Sequence, residues 1–148
     1  DGGAAIMAVD CAQKIPGVDL AAAVYIQLVA EMPTRNIYDT TPESATWPYI
    51  TIGEAFSEDD STKMSYGFRK VINFHVFTGL PNRGWEMCHK LINEVLMALV
   101  NNTWLQAAPV ANWHLVDVVP GGNIVYLQED NSVRHGVLPI LFVLDQTA

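Results

Sequence analysis

The alternation of apolar and polar positions is clearest between Tyr66 and Val100. Within Phe68–Phe77 one parity carries Phe68, Ile72, Phe74 and Val76, and the other carries Arg69, Asn73 and His75, with Val71 and Phe77 mixed in. A strand turns successive side chains to opposite faces, so this run predicts a long strand with one buried face and one wetter face. Gly79, Pro81, Asn82 and Gly84 then break the run, because Pro lacks a donor and Gly permits positive φ. Beyond them the period becomes helical. Trp85, Cys88, Leu91, Ile92, Val95, Leu96 and Leu99 form a stripe opposite Glu86, His89, Lys90, Asn93 and Glu94. This predicts a helix over 85–100, with Asn82 as its N-cap and Asn101-Asn102 as its stop.

Before this unit, Val18, Ala21, Ala22, Tyr25, Leu28, Val29 and Met32 share a helical stripe that Pro33 ends. Residues 1–17 are small and weakly patterned, and read as an N-terminal arm ahead of one domain spanning 18–148. Arg35–Asp39 reads as a short extended piece and Trp47–Gly53 as a strand, with Pro48 at its start where a missing donor is tolerated. Ser57–Lys63 reads as an acidic loop and Leu105–Asn112 as irregular. Trp113–Val119 and Ile124–Gln128 read as strands, joined into a hairpin by Pro120-Gly121-Gly122-Asn123, a tight turn that needs positive φ. After a turn at Glu129–Ser132, Val133–Leu144 forms the last strand. It is apolar on both parities from Val137, so it is central or covered twice, while Pro139 argues against full pairing on both sides. Two helices across one face of a mostly antiparallel sheet, with a C-terminal meander, define an α+β domain.

The chain has 148 residues, enough to bury a core without staples. No apolar run approaches a membrane span, and Asp1–Ala5 lack the basic region of a signal peptide. The formal net charge is −8. Its eight Lys and Arg residues are scattered, which argues against a protein that grips phosphate. Of the two cysteines, Cys11 and Cys88, the second lies on the apolar stripe of its helix and reads as a buried free thiol.

Catalytic patterns are missing from the sequence. His75, His89, His114 and His135 lie far apart without metal-ligand spacing. There is no nucleophile elbow and no phosphate-binding loop. Glu58-Asp59-Asp60 lacks the spacing of a calcium loop. The sequence therefore predicts no catalytic residue, no cofactor and no metal. Trp104, in irregular sequence beside Asn101-Asn102, is a candidate anchor for a subunit contact.

Several stretches together resemble the tail-terminator (tail-completion) proteins of long-tailed bacteriophages and gene transfer agents. They are the early amphipathic helix, Asn36-Ile37-Tyr38-Asp39, Trp47–Gly53, the strand ending Asn73-Phe74-His75-Val76-Phe77, the helix from Gly84, and Asp130 through His135–Phe142. The likeness runs through most of the chain after Val18 and lies in the order and spacing of the pieces. Phe77 stands where the family strand often carries Trp, and the segment before Val18 is outside the pattern.

The resemblance implies a structural virion protein, assembled in the host cytoplasm and located at the head-proximal end of the tail. Six copies would form a ring that ends growth of the tube. The ring would contact the tail tube protein on one side and the head-completion or neck protein on the other, while DNA passes through its lumen without specific binding. No membrane is involved. The alternatives are a head-closure adaptor or tube subunit and, from a different class, a small ligand-binding α+β domain using His114, Asp117 and His135. Because binding residues concentrate on loops, the interface candidates are Glu58, Asp59, Asp60, Gly121 and Gly122, with Trp104 as the aromatic anchor.

Overall fold

The computed structural model describes residues 17–59, 67–79, 84–122, 124–128 and 133–147. Helix α1 (Gly17–Glu31) is followed by strands β1 (Asn36–Tyr38), β2 (Tyr49–Asp59) and β3 (Gly67–Thr78). Helices α2 (Glu86–Leu99) and α3 (Asn102–Gln106) lead to β4 (Trp113–Pro120), β5 (Val125–Gln128) and β6 (Arg134–Gln146). The strands form one six-stranded sheet in the order β1-β2-β3-β6-β4, with β5 also paired to β6. Among the described residues, only β1 and β2 pair in parallel and the other ladders are antiparallel, so the domain is α+β.

Hydrophobic periodicity accounts for the layers. Phe74, Val76, Leu138, Ile140, Phe142 and Leu144, alternate residues of β3 and β6, are fully buried on one face of the sheet. Leu20, Val24 and Leu28 of α1, with Leu91, Val95 and Leu99 of α2, complete the same core. The helices are also tied to each other and to the sheet by polar contacts. Gln27 Nε2 donates to the Ala98 carbonyl at 2.9 Å, and Arg35 forms a two-pronged pair with Glu94 at 3.0 and 2.9 Å. Gly136 lies beneath α2, where a Cβ would fall 2.6 Å from Cδ1 of Ile92 and 2.9 Å from Sγ of Cys88. Close approach of helix to strand thus requires glycine there.

The structure alters four local expectations. First, Ser57, Glu58 and Asp59 are not loop residues but the end of β2, registered opposite Lys70, Arg69 and Phe68. A long β3 offers backbone partners that outweigh the low strand propensity of acidic residues. Second, helix α2 starts at Glu86 with Trp85 at the cap and no side-chain cap bond. Third, Asn101 starts α3 by accepting from the Trp104 amide at 3.1 Å, within a stretch expected to be irregular.

Fourth, the C-terminal meander is replaced by a different pairing. Strand β4 registers on Ile140–Gln146 and β5 on Arg134–Val137, so the two lie end to end along one edge of β6. The chain between them is a joint rather than a tight turn, and no described glycine has positive φ. Pro139 sits at this joint. The Gly121 amide donates to its carbonyl at 3.0 Å, and in a strand the N and O of one residue point to the same edge. The donor that Pro139 lacks therefore faces the gap between β4 and β5, while its other edge stays beside Asn73 of β3. Strand β6 is thus central and paired on both sides, with the break between its β4 and β5 partners at the proline.

The expected N-terminal arm (apart from Gly17), Asp60, the N-cap at Asn82, Asn123 and the turn at Glu129–Ser132 lie outside the described residues.

Candidate functional site

The second face of the sheet carries the other parity. Asn73, His75 and Phe77 of β3 and Val137, Pro139 and Leu141 of β6 are half-buried there. They are the wetter face anticipated from the alternation in Phe68–Phe77, and both long helices pack on the opposite side.

A row of rings crosses this face from strand to strand. Tyr38 meets Tyr49 at 5.9 Å, Tyr49 stacks on Phe77 at 5.0 Å, and Phe77 stacks on His135 at 4.1 Å between ring centres. Trp47 covers Tyr49 at 5.2 Å. Directly opposed aromatic residues are a strong source of cross-strand stabilisation.

Beside the rings lies a polar chain across three strands. Nδ1 of His75 is 2.7 Å from Nε2 of His135, and Nε2 of His75 is 3.0 and 3.2 Å from the carboxylate oxygens of Glu54. Asn73 Nδ2 donates to Glu54 at 2.9 Å. An irregularity in β2 between Ile52 and Ala55 aims Glu54 at this point. Gly53 makes room for it, since a Cβ there would fall 2.7 Å from the Asn73 carbonyl oxygen and strike the His75 ring.

The protonation pattern follows from these partners. A bond from the Glu54 backbone amide, followed by those from His75 and Asn73, holds the Glu54 carboxyl down to about 2. An ionised carboxylate only accepts, so Nε2 of His75 is a donor. A neutral His75 then accepts at Nδ1 from Nε2–H of His135. One N–H therefore fills the 2.7 Å gap between the two rings. The arrangement joins β2, β3 and β6 laterally.

The residues nominated from sequence are dispersed. Gly121 lies with Phe56, Ser57, Arg69, Val71 and Leu141 around a shallow groove on the same face. Gly122 is exposed beside Pro139. Glu58 and Asp59 follow Ser57 in β2. Trp104 is 8 % exposed and packs in the core, because α3 turns its ring inward. His114 and Asp117 register opposite Asp145 and Val143, at the far end of β6 from His135, roughly 33 and 26 Å away at about 3.3 Å per residue. The trio expected of a ligand-binding domain therefore does not converge.

Among the described residues no group of three or more acidic, His or Cys side chains is placed to hold a metal, and no helix is long and apolar enough to cross a membrane. Cys88 is buried and free, and burial pushes its thiol up to about 11, away from nucleophilic use at neutral pH. The Glu54–His75–His135 chain was not anticipated from sequence. Its only sign was the wetter parity that carries Asn73 and His75, and the partners emerge once β3 is registered on β2 and β6.

No family model and no curated protein matches the chain. Among solved structures, it shares its fold with a chain from the virion of a native gene transfer agent particle, with a TM-score of 0.68. The identity is 22 %, and the match covers 84 % of this chain and 92 % of the other. The fold is therefore one used by a virion component.

Proposed function

We propose that this chain is a structural protein of a tailed-phage-like or gene transfer agent virion. In this reading it closes into a six-membered ring on the head-proximal end of the tail tube, stops tube growth and presents its other side to the neck. It acts without catalysis or cofactor, as one domain from residue 18 preceded by a short arm. The observation that carries the reading is the fold shared, over nearly the whole of both chains, with a component of a gene transfer agent virion. The ordered stretches that resemble tail terminators lend independent support.

The acidic composition fits a conduit. With a net charge of −8, the body offers little to hold phosphate, so DNA can slide past it. Glu58, Asp59 and Asp60 are assigned to the lumen. Charge reversal there, as in Glu58→Lys with Asp59→Lys, is expected to leave the ring intact and slow DNA passage; unaltered passage would remove that assignment.

The decisive experiment is imaging of the protein on tail tubes, combined with native mass measurement. One ring of six copies at a single tube end is expected. Copies stacked along the tube would make it a tube subunit instead. A protein that stays monomeric at high concentration and ignores tubes would overturn the ring.

A further inference from the structure

Helix α1 is apolar on both sides. Leu20, Val24 and Leu28 face the core, while Val18, Tyr25, Ile26 and Val29 remain exposed by 85, 41, 67 and 40 %. Of its polar residues, Gln27 is engaged by the Ala98 carbonyl. A helix that is apolar all round is one that is covered all round. On the outward side, Gly17, Val18, Ala21, Ala22, Tyr25 and Asp39 line a groove of about 620 Å³. The small side chains of Gly17, Ala21 and Ala22 leave room there for another segment.

We infer that residues 4–12 of the same chain seat in this groove, with Ile6, Met7 and Val9 against α1. Residues 1–16 lie outside the described residues, and they join the domain at Gly17, which itself lines the groove. Adjacent Cα atoms are about 3.8 Å apart, so this segment sets out from the mouth of the groove. Its composition suits an apolar seat. Ala4-Ala5-Ile6-Met7-Ala8-Val9 is an uninterrupted apolar run, and no other stretch outside the described residues has one of comparable length.

Length is sufficient. From Gly17 to Tyr25 the helix advances about 12 Å at about 1.5 Å per residue. About four extended residues at about 3.3 Å each, or about eight helical ones, would match it. Residues 4–12 supply enough for either form, and Gln13–Pro16 remain for the reversal, within the roughly 2–5 residues that turn a chain back beside a helix. Charge works against a strongly charged occupant. Asp39 lines the groove, and Nζ of Lys70 lies 3.6 Å from where a Cβ of Gly17 would fall, so both signs are present. A tethered segment also needs little intrinsic affinity, because a short linker holds it at a millimolar effective concentration. The contact lies within one chain and does not depend on the ring.

Thiol labelling in the full chain tests the seat. Ala22→Cys is made in a Cys11→Ser background, with the buried Cys88 left in place. Met97→Cys in the same background is the reference, since Met97 is 72 % exposed on α2. A maleimide is expected to label Ala22→Cys at least about tenfold more slowly with native Ile6 and Val9 than with Ile6→Asp and Val9→Asp together, because a carboxylate resists burial without a partner. The Met97→Cys rate should be the same in both chains. Protection should persist on dilution by about a hundredfold, as a contact within one chain requires. Equal rates for Ala22→Cys in the two chains would overturn the inference. Protection lost on dilution would also overturn it, and would assign the groove to a second copy.

Discussion

The imidazoles of His75 and His135 meet nitrogen to nitrogen at 2.7 Å, although 60 residues separate them in the chain. Together with Glu54 they form a polar chain across β2, β3 and β6. Replacing His75 by Phe would leave Glu54 and Nε2 of His135 without this partner. Loss of a partly buried polar contact of this kind costs about 1–3 kcal/mol, which denaturant unfolding of His75→Phe should show. An unfolding midpoint equal to that of the parent chain would contradict this.

Acid should reveal the part played by Glu54. Its carboxyl is held to about 2 in the folded chain, against an ordinary value of 4.5. A depressed carboxylate stabilises the fold above the unfolded value and loses that contribution as pH falls through the folded one. The advantage of the parent chain over Glu54→Gln should therefore shrink between pH 4.5 and about 2. The effect is small, because the Glu54 side chain is 58 % exposed and solvent screens it. Equal unfolding midpoints of the two proteins at pH 7 would show that the contact contributes nothing.

Gly136 tests the seat of α2. A methyl group there meets Ile92 and Cys88 inside the core. Gly136→Ala should destabilise the fold by about 1–3 kcal/mol through overpacking. Shortening the obstacle with Ile92→Val in the same chain should recover part of that loss, as read from thermal unfolding.

Ala108 follows α3 with a φ of 51°, in the left-handed region that glycine usually occupies just past a helix. An L side chain costs about 1–2 kcal/mol in that conformation, partly offset by its lower unfolded-state entropy. Ala108→Gly should raise stability by about 0.5–1 kcal/mol. A lower unfolding midpoint would contradict this.

Residues within a turn or two of each other determined much of the architecture. The alternation in Phe68–Phe77 and the stripe from Trp85 to Leu99 were sufficient to place β3 and α2, because each pattern is the face that its element buries. Apolar residues on both parities of β6 left it either central or covered twice, with Pro139 arguing against full pairing; the structure makes it central, with the break between its β4 and β5 partners at Pro139. Short-range signals failed where a distant partner decided the outcome. Ser57–Asp59 became strand because β3 was long enough to pair with them. Pro120–Asn123 carried turn chemistry, yet β6 offered one edge long enough for β4 and β5 in line.

The face opposite the two long helices shows the same division. The sequence determined that one side of β3 would be wetter, since side-chain parity is a local property of a strand. Only the tertiary structure decided that Glu54, His75 and His135 would meet there, because register between strands is set by long-range packing. It also decided that Trp104 would fill the core and that α1 and β5 would carry apolar surface at opposite edges. Those outcomes depend on which elements become neighbours, and hydrophobic periodicity fixes only the face that each element turns inward.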